Sequence, residues 1–123
     1  MTRYNILIVD DEKRYANMLA KRLNLRGCVC EVCYSGKQAL EIIKHKQFFL
    51  TLLDLRLPDI YGTEVLARMK ACCAGMPVII LTAHGTQEDR QECLRKGAYA
   101  FMHKPLGIEA LMLILARIRG MSA

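Results

Sequence analysis

The chain has 123 residues, 53% of them hydrophobic, with 18 Lys and Arg against 12 Asp and Glu, for a formal net charge of +6. A domain of this length buries roughly two thirds of its unfolded surface, and its longest apolar runs are strand-sized, too short for a transmembrane helix. The positive charge does not point to nucleic acid: the cations are scattered along helices (Lys13, Arg14, Lys21, Arg22, Arg26, then Lys37, Lys44, Lys46), with no basic block, no zinc-finger spacing and no aromatic-basic interleaving.

Met1-Thr-Arg-Tyr-Asn leads straight into a strand and lacks the layout of a signal peptide, so the expected location is cytoplasmic. Asn5–Val9 is a buried-type strand that ends in Asp10-Asp11-Glu12. Such an acid cluster also suits a helix N-terminus, where carboxylates cap orphan N–H groups. The helix that follows carries Tyr15, Met18, Leu19, Leu23 and Leu25 near the 3.6 period, and Gly27 closes it. Cys28–Tyr34 is a less apolar strand with Glu31 inside it, as an edge strand tolerates. Ser35-Gly36 caps a helix with Ala39, Leu40, Ile42 and Ile43 on its inner face.

The central stretch is Phe48–Leu53, an apolar run ending in a single carboxylate, Asp54. A short continuous apolar run bounded by turn signals reads as a fully buried strand. The run breaks at Leu57-Pro58 and turns at Gly62 into a helix carrying Val65, Leu66 and Met69, which runs out at Cys72-Cys73-Ala74-Gly75. Pro77–Thr82 is the fourth strand. Thr86 then caps a helix through Lys96, with Gly97 as its stop. Ala98–Met102 is a fifth strand, followed by His103-Lys104-Pro105 and a last helix, Ile108–Arg119, apolar over much of its circumference.

Five β-α units joined by right-handed crossovers predict a doubly wound α/β sandwich on a parallel sheet. No repeat, low-complexity segment or linker interrupts it, so residues 1–123 read as one domain. Of the six cysteines, Cys28 and Cys30 share one face of their strand and Cys33 is out of phase; no pair has the spacing of a zinc site. Cys72 and Cys73 are adjacent and are not expected to face one site easily. The six read as reduced, buried small hydrophobes.

Loops that follow parallel strands share one edge of the sheet, where open α/β folds bind ligands. That edge collects Asp10, Asp11, Asp54, Thr82 and Lys104. An acid buried at a strand end needs a cation, since even a neutral polar group buried unpaired costs about 2–7 kcal/mol. Carboxylate oxygens with water suit Mg2+ or Mn2+. A hydroxyl and an ammonium opposite suit an anion with several oxygens. Together they describe a phosphoryl site with a carboxylate placed to attack phosphorus.

With Val9-Asp10-Asp11-Glu12, Leu53-Asp54-Leu55-Arg56-Leu57-Pro58 and Gly62, Leu81-Thr82-Ala83, and Phe101-Met-His-Lys104-Pro105 in order, nearly the whole chain resembles a response-regulator receiver domain. This is the CheY-like, flavodoxin-like (βα)5 fold of two-component signalling, whose sheet order is 2-1-3-4-5. Arg56-Leu57-Pro58 and Thr82-Ala-His-Gly-Thr86 are similar to receivers of the NtrC type, which precede an ATPase and a DNA-binding module; neither is in this sequence, which suits a stand-alone receiver or a fragment of a longer regulator.

The resemblance implies roles. Asp54 is the phosphoacceptor. Asp10, Asp11, Asp54 and the backbone carbonyl of Arg56 hold Mg2+. Lys104, Thr82 and the backbone N–H of Ala83 bind the phosphoryl group. Thr82 and Phe101 form the switch, and the Lys104–Pro105 bond is cis. The donor is a sensor histidine kinase or a histidine phosphotransfer protein. The domain is not an enzyme beyond its own phosphorylation and dephosphorylation. Arg56 and His84 are expected to flank the path of attacking water and tune phosphate lifetime. The fourth helix, fifth strand and last helix are expected to form a homodimer or effector face, with no membrane or direct nucleic-acid contact.

Readings from other classes fit less well. A phosphatase of the haloacid-dehalogenase class needs a second acid two residues after the nucleophile, where Arg56 stands. A flavin binder needs a Ser/Thr/Gly-rich phosphate loop after the first strand, where Asp10-Asp11-Glu12 would repel phosphate. A degenerate receiver would lack some of the five site residues, and all are present.

Overall fold

The apolar runs read from the sequence pair into one sheet. In the computed structural model, which describes residues 4–122, strands and helices alternate: β1 (Tyr4–Val9), α1 (Lys13–Asn24), β2 (Cys28–Cys33), α2 (Gly36–Ile42), β3 (Leu50–Leu53), α3 (Gly62–Cys72), β4 (Val78–Thr82), α4 (Gln87–Arg95), β5 (Ala100–His103) and α5 (Ile108–Ser122). All pairings are parallel, in the order β2-β1-β3-β4-β5. This is the flavodoxin-like order expected, with β2 at an edge. The lead-in expected over Met1–Arg3 lies outside the described residues.

Because side chains alternate along a strand, each buried strand feeds two cores. Leu7, Val9, Leu53, Val78 and Ile80 face one side, with Ala39, Val65, Leu66, Met69 and Cys93 from α2, α3 and α4. Ile6, Ile8, Leu52, Ile79 and Leu81 face the other, with Ala16, Leu19, Leu23, Leu111, Ile114, Leu115 and Ile118 from α1 and α5. Cys28 and Cys33 fall into opposite cores, as their phase requires.

Several boundaries differ from expectation. The inner stripe of α1 is Ala16, Leu19, Ala20 and Leu23. Met18 and Leu25 are exposed, Leu25 by 78%, because they lie off that stripe. Phe48 is buried but precedes β3, which starts at Leu50. β5 starts at Ala100 rather than Ala98. The Ala98 N–H is still bonded to Cys93 O, closing the end of α4 after Gly97, whose φ is +101°. In α5, Leu111, Ile114, Leu115 and Ile118 all reach the core, and Leu113 alone among its leucines is well exposed, at 65%. The helix starts behave as expected at Ser35, whose hydroxyl accepts from Gln38 N–H, and at Thr86, which forms a capping box with Asp89.

Register brings the strand ends level. Val9 lies opposite Leu53, Leu53 opposite Ile80, and Thr82 opposite His103. The residues that follow these partners therefore meet at one edge.

Candidate functional site

Backbone bonds pin the two central acids. Asp10 N–H donates to Cys33 O at 3.0 Å and Asp54 N–H to Val9 O at 2.9 Å. Asp10 and Asp54 are 3% and 4% exposed. Lys104 N–H donates to Thr82 O at 3.0 Å, and the cis Lys104–Pro105 bond expected from the sequence turns the chain away after it. The approach of α3 is equally tight. Gly62 N–H donates to Leu55 O at 2.7 Å. A Cβ on Gly62 would lie 2.5 Å from Leu55 Cα and 2.7 Å from Asp54 O, so only glycine lets α3 start this close to the acid.

The cation demanded by Asp54 is Lys104. Its Nζ lies 2.6 Å from Asp10 Oδ2, 2.8 Å from Glu12 Oε1 and 3.3 Å from Asp54 Oδ2. It also sits over the Tyr15 ring, 4.6 Å from the centroid. Burial opposes the ammonium charge, but the bonds to Asp10 and Glu12 and the charge of Asp54 outweigh it, holding its pKa above the usual lysine range. Burial pushes the Asp10 carboxyl up, against the pull of Lys104 and of the Glu12 N–H. Glu12, largely exposed, is held below the usual carboxylate range by its bond to Lys104.

The acid cluster does not cap α1 as expected. Glu12 occupies the N-cap position without a side-chain cap bond. Asp10 Oδ1 accepts from Glu12 N–H at 3.0 Å, and both carboxylates turn to Lys104. The pull of the lysine competes with the orphan N–H groups and wins. Asp11 is exposed, and the carboxylate that converges with Asp10 and Asp54 is Glu12.

Thr82 is fully buried at the end of β4, and its Oγ1 accepts from His84 N–H at 3.3 Å. Phe101 is buried beside it. A Cβ on Gly85 would fall 2.2 Å from Phe101 Cζ and 3.0 Å from Thr82 Cγ2, so the glycine makes room for the inward ring. Arg56, Ala83 and His84 are exposed on the same loops.

Two residues at this edge escaped the sequence reading. One is Glu12, which looked like a helix-start acid. The other is Asp59, whose carboxylate accepts from Gly36 N–H (2.9 Å), Lys37 N–H (2.8 Å) and Ile60 N–H (2.9 Å). It ties the loop after Asp54 to the start of α2. The signal was an acid directly after Pro58, which is ordinary turn chemistry; its partner lies 22 residues away in sequence.

The donor set fits a hard cation. One oxygen each from Asp10, Glu12 and Asp54 lies within 4.8 Å of the others. Asp54 Oδ1 is buried without a hydrogen-bond partner. Three carboxylates face one ammonium, so negative charge is in excess, and all-oxygen donors suit Mg2+ or Mn2+ rather than a soft metal.

Known proteins match this chain in sequence and fold. The model of the response regulator receiver domain matches residues 6–116. Transcriptional regulatory protein CusR of Escherichia coli (strain K12) is 34% identical over 114 residues, 93% of this chain and 49% of that one. Transcriptional regulatory protein GlrR of the same strain is 33% identical over 107 residues, 87% of this chain and 24% of that one. The chain thus spans about a quarter to a half of the length of these relatives. The crystal structure of a CheY-like response regulator receiver domain protein from Methanospirillum hungatei JF-1 superposes with a TM-score of 0.91 at 29% identity, covering 97% of this chain and 96% of that one. A match from the first buried strand into the last helix, on a sheet of the same order, places this chain in the family of response regulator receiver domains.

Proposed function

We propose that residues 1–123 form one phosphoaccepting receiver domain, in which Asp54 takes a phosphoryl group from the phosphohistidine of a sensor histidine kinase or phosphotransfer protein. The observation that carries this reading is a buried carboxylate, Asp54, with one oxygen free of hydrogen bonds and the other beside a buried lysine. Asp54 Oδ1 attacks phosphorus in line with the departing imidazole nitrogen; the P–N bond breaks as the P–O bond forms. Lys104 moves from Asp10 and Glu12 to the phosphoryl oxygens. Thr82 Oγ1 accepts from His84 N–H and so keeps its own proton to donate. The Ala83 N–H, at an exposed loop position, supplies a further donor.

Mg2+, with Mn2+ as a substitute, is the proposed cofactor. Asp10, Asp54 and the Arg56 carbonyl would hold it, with Asp11 or Glu12 adding an oxygen. Its chemistry is to neutralise charge on the transferring phosphoryl group. Phosphorylation draws the Thr82 hydroxyl toward the phosphoryl oxygens, and Phe101, already turned inward over Gly85, is held there, which fixes the face made by α4, β5 and α5. Arg56 and His84 flank the path of water to the acyl phosphate and set its lifetime. The domain works in the cytoplasm. Among the described residues no helix is long and apolar enough to cross a membrane.

The test is an intact mass after incubation with Mg2+ and acetyl phosphate, beside Asp54→Ala. One added phosphoryl group that needs both metal and Asp54 is expected. No adduct, together with no complex with beryllofluoride, would sink the reading.

A further inference from the structure

Thiol chemistry that the receiver reading leaves unused lies at the far end of α3 from Asp54. Cys72 closes this helix and Cys73 follows as its C-cap, with φ −133° and ψ 69°. Their Sγ atoms are 3.4 Å apart, with Cys73 donating toward Cys72. Cys72 is exposed and Cys73 half-buried. The frame under the pair is tied down. Cys73 N–H donates to Met69 O at 2.7 Å and Met76 N–H to Cys73 O at 3.0 Å. Lys70 Nζ clasps the same loop, donating to Ala74 O at 2.8 Å and Met76 O at 2.9 Å. Beside the thiols is a cavity of about 370 Å³, lined by both cysteines, by Ile43, Phe48 and Met76, and by the polar Lys46 and Gln47.

We propose that Cys72 and Cys73 form a chelating capture site for aryl-substituted trivalent arsenic, bound through both sulfurs with its ring in the adjoining cavity. Two thiols in contact can both bond one thiophilic centre. Tetrahedral zinc, at about 2.3 Å from each thiolate, spreads them to about 3.8 Å. The observed 3.4 Å, the contact distance of two free thiols, also lies within reach of a pyramidal trivalent centre with bonds of similar length, which takes two thiolates without needing further protein ligands. Other thiols are less suited. Cys28, Cys33 and Cys93 are buried, and burial pushes the half-buried Cys30 thiol up to about 12. Within the pair, burial and the bond to Cys72 push the Cys73 thiol up; Cys72 is the more exposed of the two, so it enters first and Cys73 closes the ring.

The step balances without a redox partner. An arylarsine oxide, Ar–As=O, exchanges its oxygen for two As–S bonds. The two thiol protons leave with that oxygen as water, and arsenic stays trivalent.

The reduced full chain is mixed with one equivalent of phenylarsine oxide and its intact mass measured. We expect one adduct that 2,3-dimercaptopropanol removes and excess glutathione does not. It is absent from Cys72→Ser and from Cys73→Ser, both checked for native circular dichroism, and retained in Cys30→Ser. Inorganic arsenite, which has no ring to bury, is held about tenfold more weakly. An adduct that survives in Cys73→Ser, that glutathione strips, or that is lost with Cys30 overturns the chelate. Equal retention of arsenite overturns the role of the cavity.

Discussion

Lys104 answers three carboxylates at once, and its side chain is 7% exposed. Removing one partner of a buried ion pair leaves the others uncompensated, at about 3–5 kcal/mol. Lys104→Ala should therefore lower the unfolding free energy by about 3 kcal/mol at pH 7. The pH dependence follows from Asp10. Its folded pKa is raised by burial, so its contribution to stability is present below the unfolded carboxylate value and is lost as pH rises through the folded one. Without Lys104 that folded value climbs further. The variant should regain more stability than the parent between pH 7 and pH 5, read as a larger shift in urea midpoint. Equal shifts would show that Lys104 does not govern the acid group. At the same edge, Arg56 and His84 are exposed. If Asp54 is phosphorylated as proposed, their truncation to alanine should shorten the half-life of the acyl phosphate severalfold through easier water entry. Unchanged half-lives in both variants would remove them from that role.

At the scale of elements, the site depends on how closely α3 and α2 are held to the end of β3. Gly62 allows the approach of α3, and Asp59 clasps the start of α2 with bonds from Gly36 and Lys37. Burial works against the Asp59 charge, but these N–H bonds prevail and keep its carboxyl below the ordinary value. Its stabilising effect is therefore present above the unfolded carboxylate value and is lost as pH falls through the folded one. Asp59→Ala should cost about 1 kcal/mol at pH 7 and less near pH 3, measured by urea unfolding at both. The same loss at both pH values would mean that the clasp does not act through charge.

On the whole-molecule scale, most of the apolar surplus of α5 lies in the core against the sheet, which weakens the case for a wide apolar face. Among the described residues, the large apolar side chains that stay well exposed on α4, α5 and the turn before β5 are Leu94, Tyr99 and Leu113. A dimer through the α4–β5–α5 face would have to cover these. Sedimentation with and without beryllofluoride should show a concentration-dependent dimer in its presence, abolished by Leu113→Glu. A monomer under both conditions would dismiss this surface as a self-association face.

The sequence by itself determined the strands, the order of the β-α units and the acids and lysine that close them. Those features are local: apolar runs, glycine and proline stops, and polar residues at strand ends. Asp54, Asp10, Thr82 and Lys104 were legible as a site because parallel strands must end at a common edge. What only the tertiary structure decided were choices between competing partners. Glu12 leaves the helix start for Lys104, Asp59 reaches back past β3 to the start of α2, and Leu113 stays outside while its neighbours are buried. Each depends on which charge or surface stands within a few ångströms after folding. A carboxylate takes the stronger partner within reach, and the reach is set by register and packing rather than by spacing along the chain.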